Sequence, residues 1–163
     1  MVIPKLQSRL FVLCAVALAA LVVLRTAWVS DDAYITLRTV DNFVNGHGLV
    51  YNLGERVQSF THPLWLFVLS GLYAVTHHPY ITLLFPSIVL TLAVVVIFIR
   101  RIATTQAGAF LGVAILLLSR AFVDFSTSGL ENPLSHALVI VFAAVHLTSP
   151  ASAKKLFWLS LIA

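Results

Sequence analysis

The sequence predicts an all-α protein: a polytopic transmembrane helix bundle with juxtamembrane helices in its first outer loop. Three observations lead to this prediction. Of the 163 residues, 60% are hydrophobic and 10% are charged, whereas a soluble domain usually carries about a quarter charged residues. Long apolar runs recur along the chain, and pairs of basic residues lie between them. Since few polar side chains remain to coat a water-facing surface, lipid must cover much of the protein.

The apolar runs define the expected spanning helices. They cover residues 10–29, 80–99, 107–123 and 134–148, and a further helix begins near Leu156. A shorter run, residues 63–75, extends only about 20 Å at ~1.5 Å per residue, which is short of a ~30 Å hydrocarbon core. That length is typical of an interfacial or re-entrant helix. Because the last run stops after about two turns, we expect residues 1–163 to be the N-terminal part of a longer transmembrane domain.

Basic residues set the expected orientation, since they favour the cytoplasmic ends of short loops. Lys5 and Arg9 place the N-terminus in the cytoplasm. If residues 63–75 do not span, Arg100-Arg101 and Lys154-Lys155 are cytoplasmic as well, and if they do span, both pairs fall outside. The non-spanning arrangement satisfies every basic cluster, so it is the one we predict. The basic residues form no stripe suited to nucleic acid.

This orientation gives two outer loops, residues 30–79 and 124–133, and the acidic residues lie in them. The six are Asp31, Asp32, Asp41, Glu55, Asp124 and Glu131. Asp31 and Asp32 follow Ser30 and open a run with helical spacing, so capping by Ser30 or Asp31 is one interpretation. The other interpretation is a catalytic pair at the membrane surface, acting as a general base or as ligands for a divalent cation.

Arginines and histidines supply the remaining candidates. The guanidinium groups of Arg38, Arg56 and Arg120 suit a lipid phosphate, although arginines near a membrane also snorkel to its surface. His47 and His62 are further site candidates. The six histidines of the sequence show no metal-binding spacing, and a lone histidine before a proline, as at His62, is more often a local hydrogen-bonding residue. The metal and any other cofactor therefore stay unassigned.

Four stretches of the outer loops resemble a known family. They are DDAYIT at residues 31–36, NGHGLVYNLGERV at 45–57, THPLW at 61–65 and SGLENPL at 128–134. This pattern is similar to that of the C-type, polyprenyl-phosphate-dependent membrane glycosyltransferases, and within them to the mycobacterial terminal arabinofuranosyltransferase group. The group often has threonine in place of Asn132.

The resemblance implies transfer of a sugar from a polyprenyl-phosphate donor to a glycan or lipid acceptor outside the cytoplasmic membrane of a bacterium. Donor, acceptor and bilayer are the expected partners, with no nucleic acid. Asp31 and Asp32 match the acidic pair of the family's catalytic centre, and Glu131 matches the acid of the second loop. Family members usually have many more helices and a soluble C-terminal domain.

Two other functional classes make different predictions. A transporter or flippase subunit would carry acidic residues within helices near the membrane midplane, whereas here these residues lie in the outer loops. A structural or assembly protein would not need the dense pattern of glycine, asparagine and charge at residues 45–56.

The orientation can be tested by cysteine labelling of intact cells. In a Cys14→Ala background, Gly48→Cys and His78→Cys should both react with an impermeant thiol reagent, because both positions lie in the predicted first outer loop. Protection of the His78→Cys variant alone would mean that residues 63–75 cross the membrane.

Overall fold

The computed structural model describes residues 8–148 and, beyond them, residues 153, 157 and 160. Within residues 8–148 the chain is all-helical, as predicted. Its α-helices are α1 (Arg9–Arg25), α2 (Asp31–Val44), α3 (Pro63–Thr76), α4 (Pro79–Ile97), α5 (Gln106–Leu118), α6 (Arg120–Phe125) and α7 (Asn132–Thr148). Lys5, Lys154-Lys155 and all but isolated positions of the helix predicted near Leu156 lie outside the described residues.

One helix of the described part is long and apolar enough to cross a membrane. It is Pro79–Ile102, where α4 continues into a π-helical turn, and it has 24 residues and a mean hydropathy of 2.7. The apolar helices α3, α5 and α7 are shorter. A bundle with several membrane spans therefore stays a prediction.

Two of the predicted helices end differently in the structure. The first ends at Arg25 rather than at residue 29, because Trp28 turns to the second outer loop: its backbone N–H donates to Thr127 Oγ1 (3.3 Å) and its indole to the Asp124 carbonyl (2.7 Å). The run at residues 107–123 is interrupted at Ser119, which has an extended backbone and caps α6 by accepting from the Phe122 N–H. A capping serine thus divides one predicted helix into α5 and α6.

The helix α4 lies at the centre and packs against α1, α3 and α7. Near one of its ends, α1, α4 and α5 share an apolar core that includes the fully buried Ala19, Val95 and Ala109. Near its other end, α2 and α3 pack over Leu83, with Leu66 of α3 fully buried. The second core holds α2 and α3 in place and so positions the candidate site.

The two predicted outer loops pack against each other although they are distant in sequence. Ser126, Thr127 and Ser128 are fully buried, and the Ser30 N–H donates to the Ser128 carbonyl (2.9 Å). The segment that precedes α7 is therefore enclosed by the start of α2 and by α3.

Gly129 has no room for a side chain where these loops meet, and we expect Gly129→Ala to destabilise the protein by about 2–4 kcal/mol. Its φ is +84°, and an added Cβ would lie 2.6 Å from the Ala33 Cβ, so backbone strain and overpacking both contribute. Gly46→Ala is the matched control for thermal unfolding, since Gly46 has a φ of +81° with nothing within 4 Å of an added Cβ. Equal losses in the two variants would contradict a steric role for Gly129.

Candidate functional site

At the start of α2, the helix cap is formed by a residue other than the two aspartates. Ser30 is the N-cap, and its Oγ accepts from the Ala33 N–H at 3.3 Å. Asp31 and Asp32 follow in the first turn, where the helix dipole favours carboxylates, and both are exposed. Of the two caps that the sequence allows, Ser30 is the one formed. Asp31 Oδ1 accepts from the Asp32 N–H (3.1 Å), whereas the Asp32 carboxylate is available for another role.

Asp31 and Asp32 face two different cavities, because successive residues of an α-helix point about 100° apart. We name the first the Asp32 cavity; its volume is about 580 Å³, and it is lined by Asp32, Ile35, Thr36, Gln58, Ser59, Phe60, Thr61, His62, Leu130 and Glu131. We name the second the tyrosine cavity; its volume is about 460 Å³, and it is lined by Asp31, Tyr34, Ile35, Leu37, Arg38, Asp41, Tyr51 and Tyr73.

In the Asp32 cavity, His62 connects the two predicted outer loops. Its Nδ1 lies 3.3 Å from Glu131 Oε2, and its Nε2 lies 3.1 Å from Thr36 Oγ1. The His62 side chain is only 13% exposed. A neutral imidazole donates from one nitrogen only, so donation from Nδ1 to Glu131 leaves Nε2 to accept the Thr36 hydroxyl proton. These contacts fix the orientation of the ring.

Thr36 also places the His62–Glu131 pair on the same side of α2 as Asp32. It follows Asp32 by four residues in α2, so both side chains lie on one face of the helix. One turn further, Thr39 Oγ1 lies 2.7 Å from Ser59 Oγ, which holds the wall formed by residues 58–62 against α2. The cavity thus combines a free carboxylate with an oriented histidine–carboxylate pair, an arrangement suited to proton transfer and to binding of hydroxyl groups.

In the tyrosine cavity, Arg38 is held against Tyr51. The Arg38 Nε donates to the Tyr51 carbonyl (2.9 Å), and the guanidinium carbon lies 4.9 Å from the centre of the Tyr51 ring. Asn42 fixes the same segment by donating to the carbonyls of Val50 (2.8 Å) and Tyr51 (3.0 Å). The segment after the glycine-rich turn is therefore anchored along α2.

The tyrosine hydroxyls of this cavity also have defined partners. Tyr73 donates to Asp41 Oδ1 (2.8 Å), and this hydrogen bond, followed by burial, raises the pKa of Tyr73. Tyr34 donates to the Tyr80 hydroxyl (3.2 Å), and this hydrogen bond is the main cause that raises the pKa of Tyr34. Both phenols therefore stay protonated at neutral pH and can hydrogen-bond a ligand.

The chain is similar in sequence to two proteins that are named as arabinofuranosyltransferases. A terminal β-(1→2)-arabinofuranosyltransferase of Corynebacterium glutamicum is 38% identical over 117 residues, which are 66% of this chain and 17% of the relative. A protein of the same name from Mycobacterium tuberculosis is 31% identical over 122 residues, which are 66% of this chain and 19% of the relative. This chain is similar to both.

The predicted resemblance to the terminal arabinofuranosyltransferase group is therefore confirmed, and both relatives are glycosyltransferases by name. The chain spans less than a fifth of the length of these relatives. No family model and no solved structure matches it.

The structure groups some of the predicted site residues and separates others. Asp32, His62 and Glu131 share the Asp32 cavity, which joins residues from both outer loops. Asp31 and Arg38 lie together in the tyrosine cavity. The acidic pair is thus divided between the two sites.

The other predicted site residues line neither of these two cavities. Arg120 forms an ion pair with Asp124 (3.1 Å) and is 93% exposed. Arg56 and His47 are exposed loop residues. Within the described part of the chain, no three His, Cys, Asp or Glu side chains are grouped so as to hold a metal ion.

Among the cavity residues that were not predicted as site residues are Thr36, Tyr51 and Tyr73. Thr36 could have been found from its spacing, because it follows Asp32 by one helical turn. Tyr51 lies within the family-like stretch at residues 45–57 and could have been singled out there. Tyr73 contacts Asp41 across the α2–α3 interface, and no local sequence pattern indicates that contact.

Proposed function

We propose that this chain is part of a membrane glycosyltransferase that moves a sugar, arabinofuranose by analogy with its relatives, from a polyprenyl-phosphate donor to an acceptor outside the cytoplasmic membrane. The observation that carries this proposal is the Asp32 cavity. It brings together the Asp32 carboxylate, which does not cap α2, with His62 and Glu131 from two segments that are distant in sequence. The relatives support the sugar and the class of reaction.

In the proposed reaction, Asp32 acts as the general base. An acceptor hydroxyl oxygen attacks the anomeric carbon of the donor sugar while the bond from that carbon to the phosphate oxygen breaks. The phosphate leaves with the bonding electron pair, and the hydroxyl proton passes to Asp32. Because a phosphate is a good leaving group, orientation of the two substrates and stabilisation of its charge supply much of the acceleration.

We assign Glu131 and His62 a role in holding the substrates beside Asp32. In this assignment Glu131 accepts from His62 Nδ1, and His62 Nε2 accepts from the Thr36 hydroxyl. A change at Glu131 therefore alters a group that faces the same cavity as the proposed base. Asp31 stays a proposed site residue, in the adjacent tyrosine cavity.

The leaving phosphate needs a positive partner, and the predicted arginines differ in their availability. Within residues 8–148, Arg56 forms no ion pair, so its guanidinium is free to bind a phosphate in a bidentate manner. Arg120 is paired through Nε with Asp124, a carboxylate that competes with a phosphate for the guanidinium. Arg38 uses Nε for Tyr51 and keeps its terminal amino groups. We propose Arg56 as the first phosphate ligand, with Arg120 as a further candidate. Arg38 lies beside Asp31 and Asp41 in the tyrosine cavity and is not assigned to the phosphate, and His47 stays a site candidate without an assigned role.

We further propose a multi-pass arrangement in the cytoplasmic membrane of a bacterium, with a cytoplasmic N-terminus and with α2 and α3 along the outer surface. The 17 residues of α1 extend about 26 Å at ~1.5 Å per residue, close to a hydrocarbon core. Large apolar side chains are exposed on α1 and α5, among them Leu13 (66%) and Leu118 (85%), and lipid or further helices would cover them. The cysteine-labelling experiment tests this arrangement.

The transferase proposal is tested by Asp32→Asn in the complete protein. An amide cannot accept the hydroxyl proton, so sugar transfer should fall by about 10²–10⁴. The unfolding temperature should stay nearly unchanged, because Ser30 and not Asp32 caps α2. Transfer is followed with a radiolabelled polyprenyl-phosphate sugar.

Ser30→Ala, two residues before Asp32, is the matched control. It removes the cap and should cost about 1 kcal/mol of stability, while the carboxylates and the transfer activity remain. Near-normal transfer by Asp32→Asn would show that this carboxylate is not the base.

A further inference from the structure

We propose that the tyrosine cavity binds the sugar chain of the acceptor, a neutral polyhydroxy ligand, on the face of α2 next to the Asp32 cavity. This inference rests on the proposed function, because it names the second substrate of that reaction. It assigns a binding role to Tyr34, Tyr51 and Tyr73, which line the cavity.

The cavity has the chemistry that a carbohydrate requires. Tyrosine rings offer flat apolar faces against which the C–H groups of a sugar ring can pack, and their hydroxyls offer hydrogen bonds. The carboxyl groups of Asp31 and Asp41 and the terminal amino groups of Arg38 can each pair with neighbouring sugar hydroxyls. Its volume of about 460 Å³ lies within the range of small-molecule sites, about 300–1,000 Å³.

The charges of the cavity favour a neutral ligand over a phosphate. Two carboxyl groups, Asp31 and Asp41, stand against one guanidinium, Arg38, so the formal charge of the lining is negative. An anionic donor phosphate placed here would meet like charges, which are costly when water is excluded. A sugar chain carries no such charge and can use all three groups.

The binding groups are already oriented in the protein. The Arg38 guanidinium is fixed by its bond to the Tyr51 carbonyl and by the ring beneath it. Tyr73 and Asp41 orient each other through a 2.8 Å hydrogen bond. Tyr51 nevertheless remains 37% exposed. Since few side chains must be ordered on binding, the entropic cost of binding is low.

The position of the cavity suits an acceptor. Ile35 lines both cavities, and Asp31 and Asp32 are adjacent in the chain. A sugar chain held by the tyrosines can therefore extend past the start of α2 and present a hydroxyl to Asp32. The two substrates would meet there from different sides of the helix.

The test measures equilibrium binding of two probes to the complete protein: a synthetic arabinofuranose oligosaccharide and a short-chain prenyl phosphate. Tyr51→Ala should weaken oligosaccharide binding by about tenfold or more and leave prenyl-phosphate binding unchanged. Phe43→Ala is the matched control, because Phe43 is an aromatic residue of α2 that is also 37% exposed but does not line the cavity. It should leave both affinities unchanged.

Tyr73→Phe provides a second variant that keeps the ring and the packing, and it decides the question if Tyr51→Ala does not fold. It removes the hydrogen bond to Asp41 and should also weaken oligosaccharide binding selectively. Unchanged oligosaccharide affinity in the folded variants would overturn the inference, and so would a parallel loss of prenyl-phosphate binding. A wild-type protein that binds the oligosaccharide through these residues but transfers no sugar would support this inference and contradict the proposed function.

Discussion

The hydrogen bond from the Trp65 indole to the Gly129 carbonyl (2.9 Å) is the interaction on which the packing of the two predicted outer loops depends. Trp65 is fully buried, so an unpaired indole N–H would cost about 1–3 kcal/mol. The bond joins α3 to the loop before α7, and the absence of a Gly129 side chain lets that loop touch Ala33 of α2. Glu131, two residues further on, is thereby brought to His62.

The helical period of α2 then directs Asp31 and Asp32 into two different cavities. Its buried face, which includes Ala33, Leu37 and Val40, packs against the core and fixes the rotation of the helix. Asp31 and Asp32 must consequently open onto different sides. An adjacent acidic pair that resembles a single catalytic unit in the sequence becomes, in the fold, one residue for each of two neighbouring cavities. Our proposals follow this division, with proton transfer on one side and acceptor binding on the other.

Features that depend only on neighbouring residues, such as helix starts and caps, were predictable from the sequence. The short apolar run after His62 gave a helix whose start, Pro63, and length agree with the structure, because proline favours a first helical turn. The cap at Ser30 was one of two alternatives that capping chemistry allows. The all-helical fold of the described residues followed from the apolar runs.

Features that depend on tertiary contacts were not predictable in the same way. The end of α1 at Arg25 results from the contact of Trp28 with the second outer loop, and no periodicity in residues 10–29 indicates it. The end of α5 and the start of α6 at Ser119 were not predicted either. A serine can lie within a helix or cap one, and the apolar residues on both sides of Ser119 do not distinguish the two. The contact of Tyr73 with Asp41 joins residues 32 positions apart. Single-sequence patterns specify which faces of helices are apolar, but not which faces meet.

The central claim is that sugar transfer takes place in the Asp32 cavity. The most direct measurement is an experimental structure of the complete protein with an unreactive analogue of the polyprenyl-phosphate sugar. We predict that the sugar of the analogue occupies the cavity between Asp32, His62 and Glu131, with its anomeric carbon facing the Asp32 carboxylate. A sugar bound on the Tyr51 side of α2, with no contact to Asp32, would contradict the account.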